Sequence, residues 1–123
     1  MDKKSILVVD DDYVILLSFS EILKKHGFHV KTAATGGEAL KILELETESI
    51  DLILLDIRLP DIEGTKLLVK IQEINPEIPT IMVTGSATLE NATEALNFGA
   101  DDFLMKPVSP IDLVDVVRQT LDR

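Results

Sequence analysis

The sequence predicts an α/β fold, a doubly wound three-layer sandwich built from five βα units. Two observations carry that prediction. Short apolar runs recur along the chain at Ile6–Val9, Val30–Ala34, Leu52–Leu55, Thr80–Val83 and Phe103–Met105. Between them lie stretches of helix length whose apolar residues repeat with helical spacing. Continuously apolar strands joined by helical crossovers imply a parallel sheet covered on both faces, and right-handed crossovers wind it in both directions.

Each element has a local justification. Ile6–Val9 is the strongest strand, and Val30–Ala34 the weakest. In the first helix Ile15, Phe19, Ile22 and Leu23 share one face, and Gly27 followed by Phe28 is a stop signal. The second helix is expected from about Gly37 to Leu45, after the turn "ATGGEA" at 34–39. That turn contains glycines but lacks the spacing and the Lys-Ser/Thr of a nucleotide loop. The third helix runs from about Gly64 to Ile74 with Pro76 beyond it, and the fourth from about Leu89 to Phe98, closed by Gly99. The fifth opens at Pro110, a favoured first-turn residue, and carries Leu113, Val114, Val117 and Leu121. No internal repeat, low-complexity tract or linker interrupts this pattern, so residues 1–123 read as one domain.

Composition narrows the function. The 123 residues are 46% hydrophobic and 28% charged, with a net charge of −10. Such an acidic surface repels a phosphate backbone, which argues against direct nucleic-acid binding. No apolar run approaches membrane-spanning length and no signal peptide or anchor is visible, so no membrane association is expected. Without cysteine there is no disulfide framework and no thiolate metal site, which suits a reducing cytoplasm.

The polar residues that follow the strands carry the chemistry. Ile6–Val9 leads into Asp10-Asp11-Asp12, Leu52–Leu55 into Asp56, Thr80–Val83 into Thr84, and Phe103–Met105 into Lys106-Pro107. An open parallel sheet binds ligands at the carboxyl ends of its strands, so these residues meet on one rim. Clustered carboxylates without histidine or thiolate favour a hard cation such as Mg²⁺. A threonine hydroxyl and a lysine ammonium can donate to phosphoryl oxygens, and an aspartate can act as nucleophile to form an acyl phosphate. The chemistry alone points to Mg²⁺-dependent phosphoryl transfer to Asp56.

At these residues the chain resembles the receiver domain of two-component response regulators, the CheY-like family, over essentially its whole length. The matching pieces are "ILVVDDD", "LILLDIRLPDIEG", "IMVTGSA" and "GADDFLMKP", in the family's order and spacing. The resemblance implies a flavodoxin-like fold of strand order 2-1-3-4-5. It makes Asp56 the phosphoacceptor, and Asp10 and Asp11 the acidic pair for Mg²⁺, with Asp11 the direct ligand and Asp10 acting through water. The backbone carbonyl of Arg58 is implied as a further ligand, Thr84 as the switch hydroxyl, Lys106 as the phosphate-binding lysine and Phe103 as the switch aromatic. Phenylalanine there, in place of the commoner tyrosine, removes any hydroxyl latch. Lys106-Pro107 is implied to be a cis peptide, and Arg58 and Ser86 flank the site where they would tune acyl-phosphate lifetime. The implied partners are a sensor histidine kinase or phosphotransfer protein, and a downstream effector or fused output domain reached through the face of the fourth helix, fifth strand and fifth helix, which also allows a homodimer. The chain would not be an enzyme beyond self-catalysed phosphoryl acceptance and autodephosphorylation.

Other residues take simpler readings. Asp12 sits where an aspartate caps the first helix. His26 and His29 lie away from the rim and read as surface histidines. A haloacid-dehalogenase-type phosphatase would need a second Asp two residues after the nucleophile, where this chain has Arg58. A flavin module would be repelled by three aspartates in its phosphate loop. A pseudo-receiver would lack one of the reactive residues, and here each is present. The "TGSA" segment is similar to that of receivers in nitrogen-regulatory activators.

Overall fold

Strict alternation within the strands divides the core between two faces of one sheet. The computed structural model describes residues 3–46, 49–85 and 89–123. The elements follow in the order β1 (Ser5–Val9), α1 (Tyr13–Lys25), β2 (His29–Ala33), α2 (Gly36–Glu46), β3 (Leu52–Leu55), α3 (Gly64–Ile74), β4 (Thr80–Thr84), α4 (Leu89–Asn97), β5 (Asp102–Met105) and α5 (Pro110–Leu121). All strand pairs are parallel, and the sheet order is β2-β1-β3-β4-β5.

Ile6, Val8, Leu52, Leu54, Ile81 and Val83 point to one side, where they bury Leu16, Phe19 and Leu23 of α1 and Leu113, Val116 and Val117 of α5. Their strand neighbours Leu7, Val9, Ile53, Leu55 and Met82 point to the other, against Ala39 and Leu43 of α2, Leu67, Leu68 and Ile71 of α3, and Ala95 of α4. The period of two thus assigns every strand residue to a layer, and a one-residue slip in register would exchange the layers.

Helix ends follow from their sequences. Asp12 is the N-cap of α1, its Oδ1 accepting the Val14 amide at 2.9 Å. At the other end the Gly27 amide donates to Lys24 and the Phe28 amide to Leu23, a Schellman closure that places Gly27 at φ +92°. The same closure ends α4, where Gly99 donates to Leu96, Ala100 donates to Ala95, and Gly99 has φ +100°. Ser109 caps α5 by accepting the Asp112 amide, with Pro110 in the first turn.

Several element ends differ from expectation by one residue: β1 begins at Ser5, β4 extends to Thr84, α4 closes at Asn97 and β5 begins at Asp102. β2 begins one residue earlier and ends at Ala33, because the hydrogen-bonded register pairs Ser5 with His29 and Val9 with Ala33. Helix α2 begins at Gly36 rather than Gly37. Its first turn is held by the Thr35 hydroxyl accepting the Glu38 amide and by the Glu38 carboxylate accepting the Ala34 amide. Among the described residues no helix is long and apolar enough to cross a membrane.

Candidate functional site

Register brings the polar residues together. Val9 pairs with Leu55, so Asp10 and Asp56, the next residue of each strand, stand side by side, and the Asp56 amide donates to the Val9 carbonyl. Leu55 pairs with Met82, which places Thr84 just beyond Asp56 on the neighbouring strand. Thr84 in turn pairs with Met105, and the Lys106 amide donates to the Thr84 carbonyl at 2.9 Å. Four strands deliver their first post-apolar residues to one rim because the sheet keeps them in step.

Asp10, Asp11 and Asp56 each offer a carboxylate oxygen within 4.8 Å of the others. Asp10 is 2% and Asp56 6% exposed, whereas Asp11 faces solvent. Asp10 is fully engaged by the protein: Oδ1 accepts the Asp12 amide at 2.9 Å, and Oδ2 accepts Lys106 Nζ at 2.6 Å. The same ammonium lies 3.5 Å from Asp56 Oδ2. The Arg58 amide approaches Asp56 Oδ1 at 3.4 Å, and the Thr84 hydroxyl donates to Asp56.

These surroundings perturb both titrating partners. Burial raises the Asp56 pKa and the Asp10 charge raises it further, against the opposing pull of Lys106 and of the Arg58 and Thr84 hydrogen bonds. For Lys106, burial works against the charge, yet its contacts with Asp10 and Asp56 leave the pKa raised, so it is an ammonium throughout the physiological range. Three carboxylates facing one ammonium leave two negative charges in a partly desolvated cleft. An all-oxygen donor set with that residual charge fits a divalent hard cation.

Gly64 packs directly against the backbone that carries Asp56. A Cβ at that position would lie 2.4 Å from the Asp56 carbonyl oxygen and 2.6 Å from Ile57 Cα, so only glycine lets α3 start so near the phosphoacceptor candidate. The loop between Asp56 and Gly64 is further held by an antiparallel backbone bridge between Arg58 and Glu63.

The remaining expected residues are distributed around this centre. Phe103 is half-buried and packs against the α2–α4 side of the core. Lys106-Pro107 is cis, and Pro107 and Arg58 are exposed beside the rim. Ser86 lies outside the described residues. His26 and His29 are exposed and remote, the His26 ring nitrogen donating to the Ile22 carbonyl at the end of α1.

Sequence reasoning missed two contacts. One is the Lys106–Asp10 ion pair, between residues 96 positions apart. The other is Asp61, whose Oδ1 and Oδ2 accept the Gly36 and Gly37 amides, each at 2.9 Å. Those two bonds hold the Asp61 carboxyl below its ordinary pKa. The paired glycines of "ATGGEA" were the available signal for the second contact.

Comparison with known proteins gives a consistent result. The family model described as "Response regulator receiver domain" matches residues 6–118. The transcriptional regulatory protein CitT of Halalkalibacterium halodurans is 37% identical over 119 residues, covering 95% of this chain and 50% of CitT. Transcriptional regulatory protein ZraR of Escherichia coli is 34% identical over 122 residues, covering 99% of this chain and 26% of ZraR. The chain thus spans half or less of the length of these relatives. A crystal structure of a CheY-like response regulator receiver domain protein from Methanospirillum hungatei superposes with a TM-score of 0.93 at 49% identity, covering 98% of this chain and 95% of that one.

Proposed function

The chain belongs to the response regulator receiver domain family, and on that premise we propose that Asp56 is its phosphoacceptor, served by a Mg²⁺ site at Asp10, Asp11 and Asp56 and by Lys106. The observation that carries the reading is the convergence of three carboxylates within 4.8 Å, with the Lys106 ammonium already 2.6 Å from one and 3.5 Å from another. The domain is taken to extend over residues 1–123. In support, α5 runs to Leu121 and Arg123 donates to the Asp101 carbonyl.

The cation would be held by Asp11, Asp56 and the Arg58 carbonyl, with Asp10 in the outer shell because both its oxygens are already engaged. When bound, Mg²⁺ supplies electrostatic stabilisation of the transferring phosphoryl oxygens. An Asp56 carboxylate oxygen attacks phosphorus, and the bond to the donor, a phosphohistidine nitrogen or the oxygen of a small phosphodonor, breaks as the acyl phosphate forms. The departing group takes up a proton from solvent. Lys106 exchanges its carboxylate contacts for the new phosphoryl oxygens, and the Thr84 hydroxyl, which already reaches Asp56, donates to the same group. Phe103 then repacks toward the space that Thr84 leaves, which alters the surface of α4, β5 and α5.

The donor is a sensor histidine kinase or a phosphotransfer protein, and the altered face controls an effector or an attached output domain. The length of CitT and ZraR beyond the matched region supports an attached output. Arg58, exposed beside the rim, and Ser86, two residues after Thr84 in the sequence, tune the lifetime of the acyl phosphate. The chain is not an enzyme acting on other molecules.

The test is incubation with Mg²⁺ and a small phosphodonor, followed by intact mass measurement. The expected result is the gain of one phosphoryl group, labile to hydroxylamine, in the wild type and not in Asp56→Asn. Equal phosphorylation of the variant would overturn the assignment.

A further inference from the structure

The glycine pair of "ATGGEA" lacks the spacing of a phosphate-binding loop, and its amides hold a side chain of the protein instead. Gly36 and Gly37 both donate to the Asp61 carboxylate at 2.9 Å, across 25 and 24 residues of chain. Asp61 belongs to the loop that leaves β3 at Asp56, passes Arg58 and enters α3 at Gly64. The contact continues in apolar form: a Cβ at Gly36 would lie only 2.3 Å from Ile62 Cγ2, so the Ile62 methyl rests on the glycine itself. Ile62 in turn packs against the buried cluster beneath α2 and α3.

The loop is therefore held at its base and along its later half. At the base Gly64 lies against the Asp56 carbonyl and its amide donates to the Ile57 carbonyl. In the later half Asp61 and Ile62 anchor it to the first turn of α2. Arg58 lies in the chain between Ile57 and Asp61, and forms an antiparallel backbone bridge with Glu63.

We propose that Asp61 is a positioning residue for the cation site, its two-oxygen grip on the Gly36 and Gly37 amides holding the 57–63 loop so that the Arg58 carbonyl faces Asp11 and Asp56 before any cation arrives. This rests on the reading of the rim as a Mg²⁺-dependent phosphoacceptor site. Asp61 touches neither cation nor phosphoryl group. It acts through the loop, and lowers the conformational cost of presenting a backbone ligand that no side-chain substitution at Arg58 can supply.

The test is Mg²⁺ binding by calorimetry to the unphosphorylated protein, together with the Mg²⁺ dependence of phosphorylation by a small phosphodonor. Asp61→Ala should weaken Mg²⁺ affinity about tenfold, within the range seen when a group supporting a metal ligand is removed. The phosphorylation rate at saturating Mg²⁺ should stay close to that of the wild type. Asp61→Asn keeps one acceptor oxygen and should fall between the two. Gly36→Ala should reproduce the loss by displacing Ile62. Gly37→Ala should not, because its Cβ would make only ordinary contacts, the nearest at 3.4 Å, and its amide remains. Val116→Ala, in α5 on the opposite side of the sheet, reports what loss of stability alone does and should leave Mg²⁺ affinity unchanged.

Wild-type affinity in Asp61→Ala, or an equal loss in Val116→Ala, would overturn the positioning role while leaving the Mg²⁺ site intact. A wild type that binds no Mg²⁺ would overturn the reading of the rim itself, and this inference with it.

Discussion

Asp56 meets two opposing demands with one carboxylate. As the proposed nucleophile it must be ionised, yet burial and the Asp10 charge raise its pKa above the ordinary 3.8. The native metal-free protein therefore holds this proton to higher pH than the unfolded chain does, and its stability falls as pH rises from 3.8 through the raised value. Asp56→Asn removes that penalty. Its metal-free melting temperature should exceed that of the wild type at neutral pH, and the gap should close as pH falls toward 3.8; a variant that melts below the wild type at neutral pH contradicts this account. Lys106 is the other residue under load, as the single ammonium shared by Asp10 and Asp56. Lys106→Ala should slow phosphorylation from a small donor by about a hundredfold, the scale of losing one preorganised donor to a developing oxyanion, as rapid-quench rates would show. Asp10, Asp56, Thr84 and Lys106 were legible in the sequence because each directly follows an apolar run, and Asp11 because it adjoins Asp10. The Lys106–Asp10 bond and the Asp61 clasp were not, since loop contacts between distant residues leave no periodic trace.

At the scale of elements, ends were easier to read than the weakest strand. Gly27 and Gly99 mark their helix ends because the Schellman closure needs a positive φ that glycine adopts without strain. Asp12 marks a helix start, and Asp12→Ala should cost about 1 kcal/mol in chemical denaturation, since it strips the Val14 amide of its acceptor. β2 was displaced by one residue because its edge position leaves it with a mixed burial pattern and thus a weak signal. Helix α4 is the least anchored by its described side chains: from Thr93 to Asn97 only Ala95 is buried, whereas α3 buries Leu67, Leu68 and Ile71. Amide hydrogen exchange should therefore be faster in α4 than in α3, as the proposed switch face requires. Equal protection of the two helices would contradict a mobile switch face.

Across the whole molecule, two apolar layers are spent on holding one polar rim. The doubly wound sandwich was legible in the continuously apolar runs of β1, β3 and β4 separated by helical stretches, whereas the strand order 2-1-3-4-5 came from the family resemblance. The assignment of each strand residue to a face is visible only in the structure. That rigid sheet keeps like charges together at the rim of a protein whose net charge is already −10. A cation that binds only the folded state must then stabilise it. At a hundred times its dissociation constant, Mg²⁺ should add about 2.7 kcal/mol, read as a rise in melting temperature. The rise should be largely lost in Asp11→Ala, and no response in the wild type would contradict the proposed site. The central claim, phosphoryl acceptance by Asp56, is tested most directly by reducing the phosphorylated protein with borohydride and mapping its peptides. The account predicts homoserine at position 56 and only when Mg²⁺ was present during phosphorylation. Homoserine at another aspartate, or none after stoichiometric phosphorylation, would contradict it.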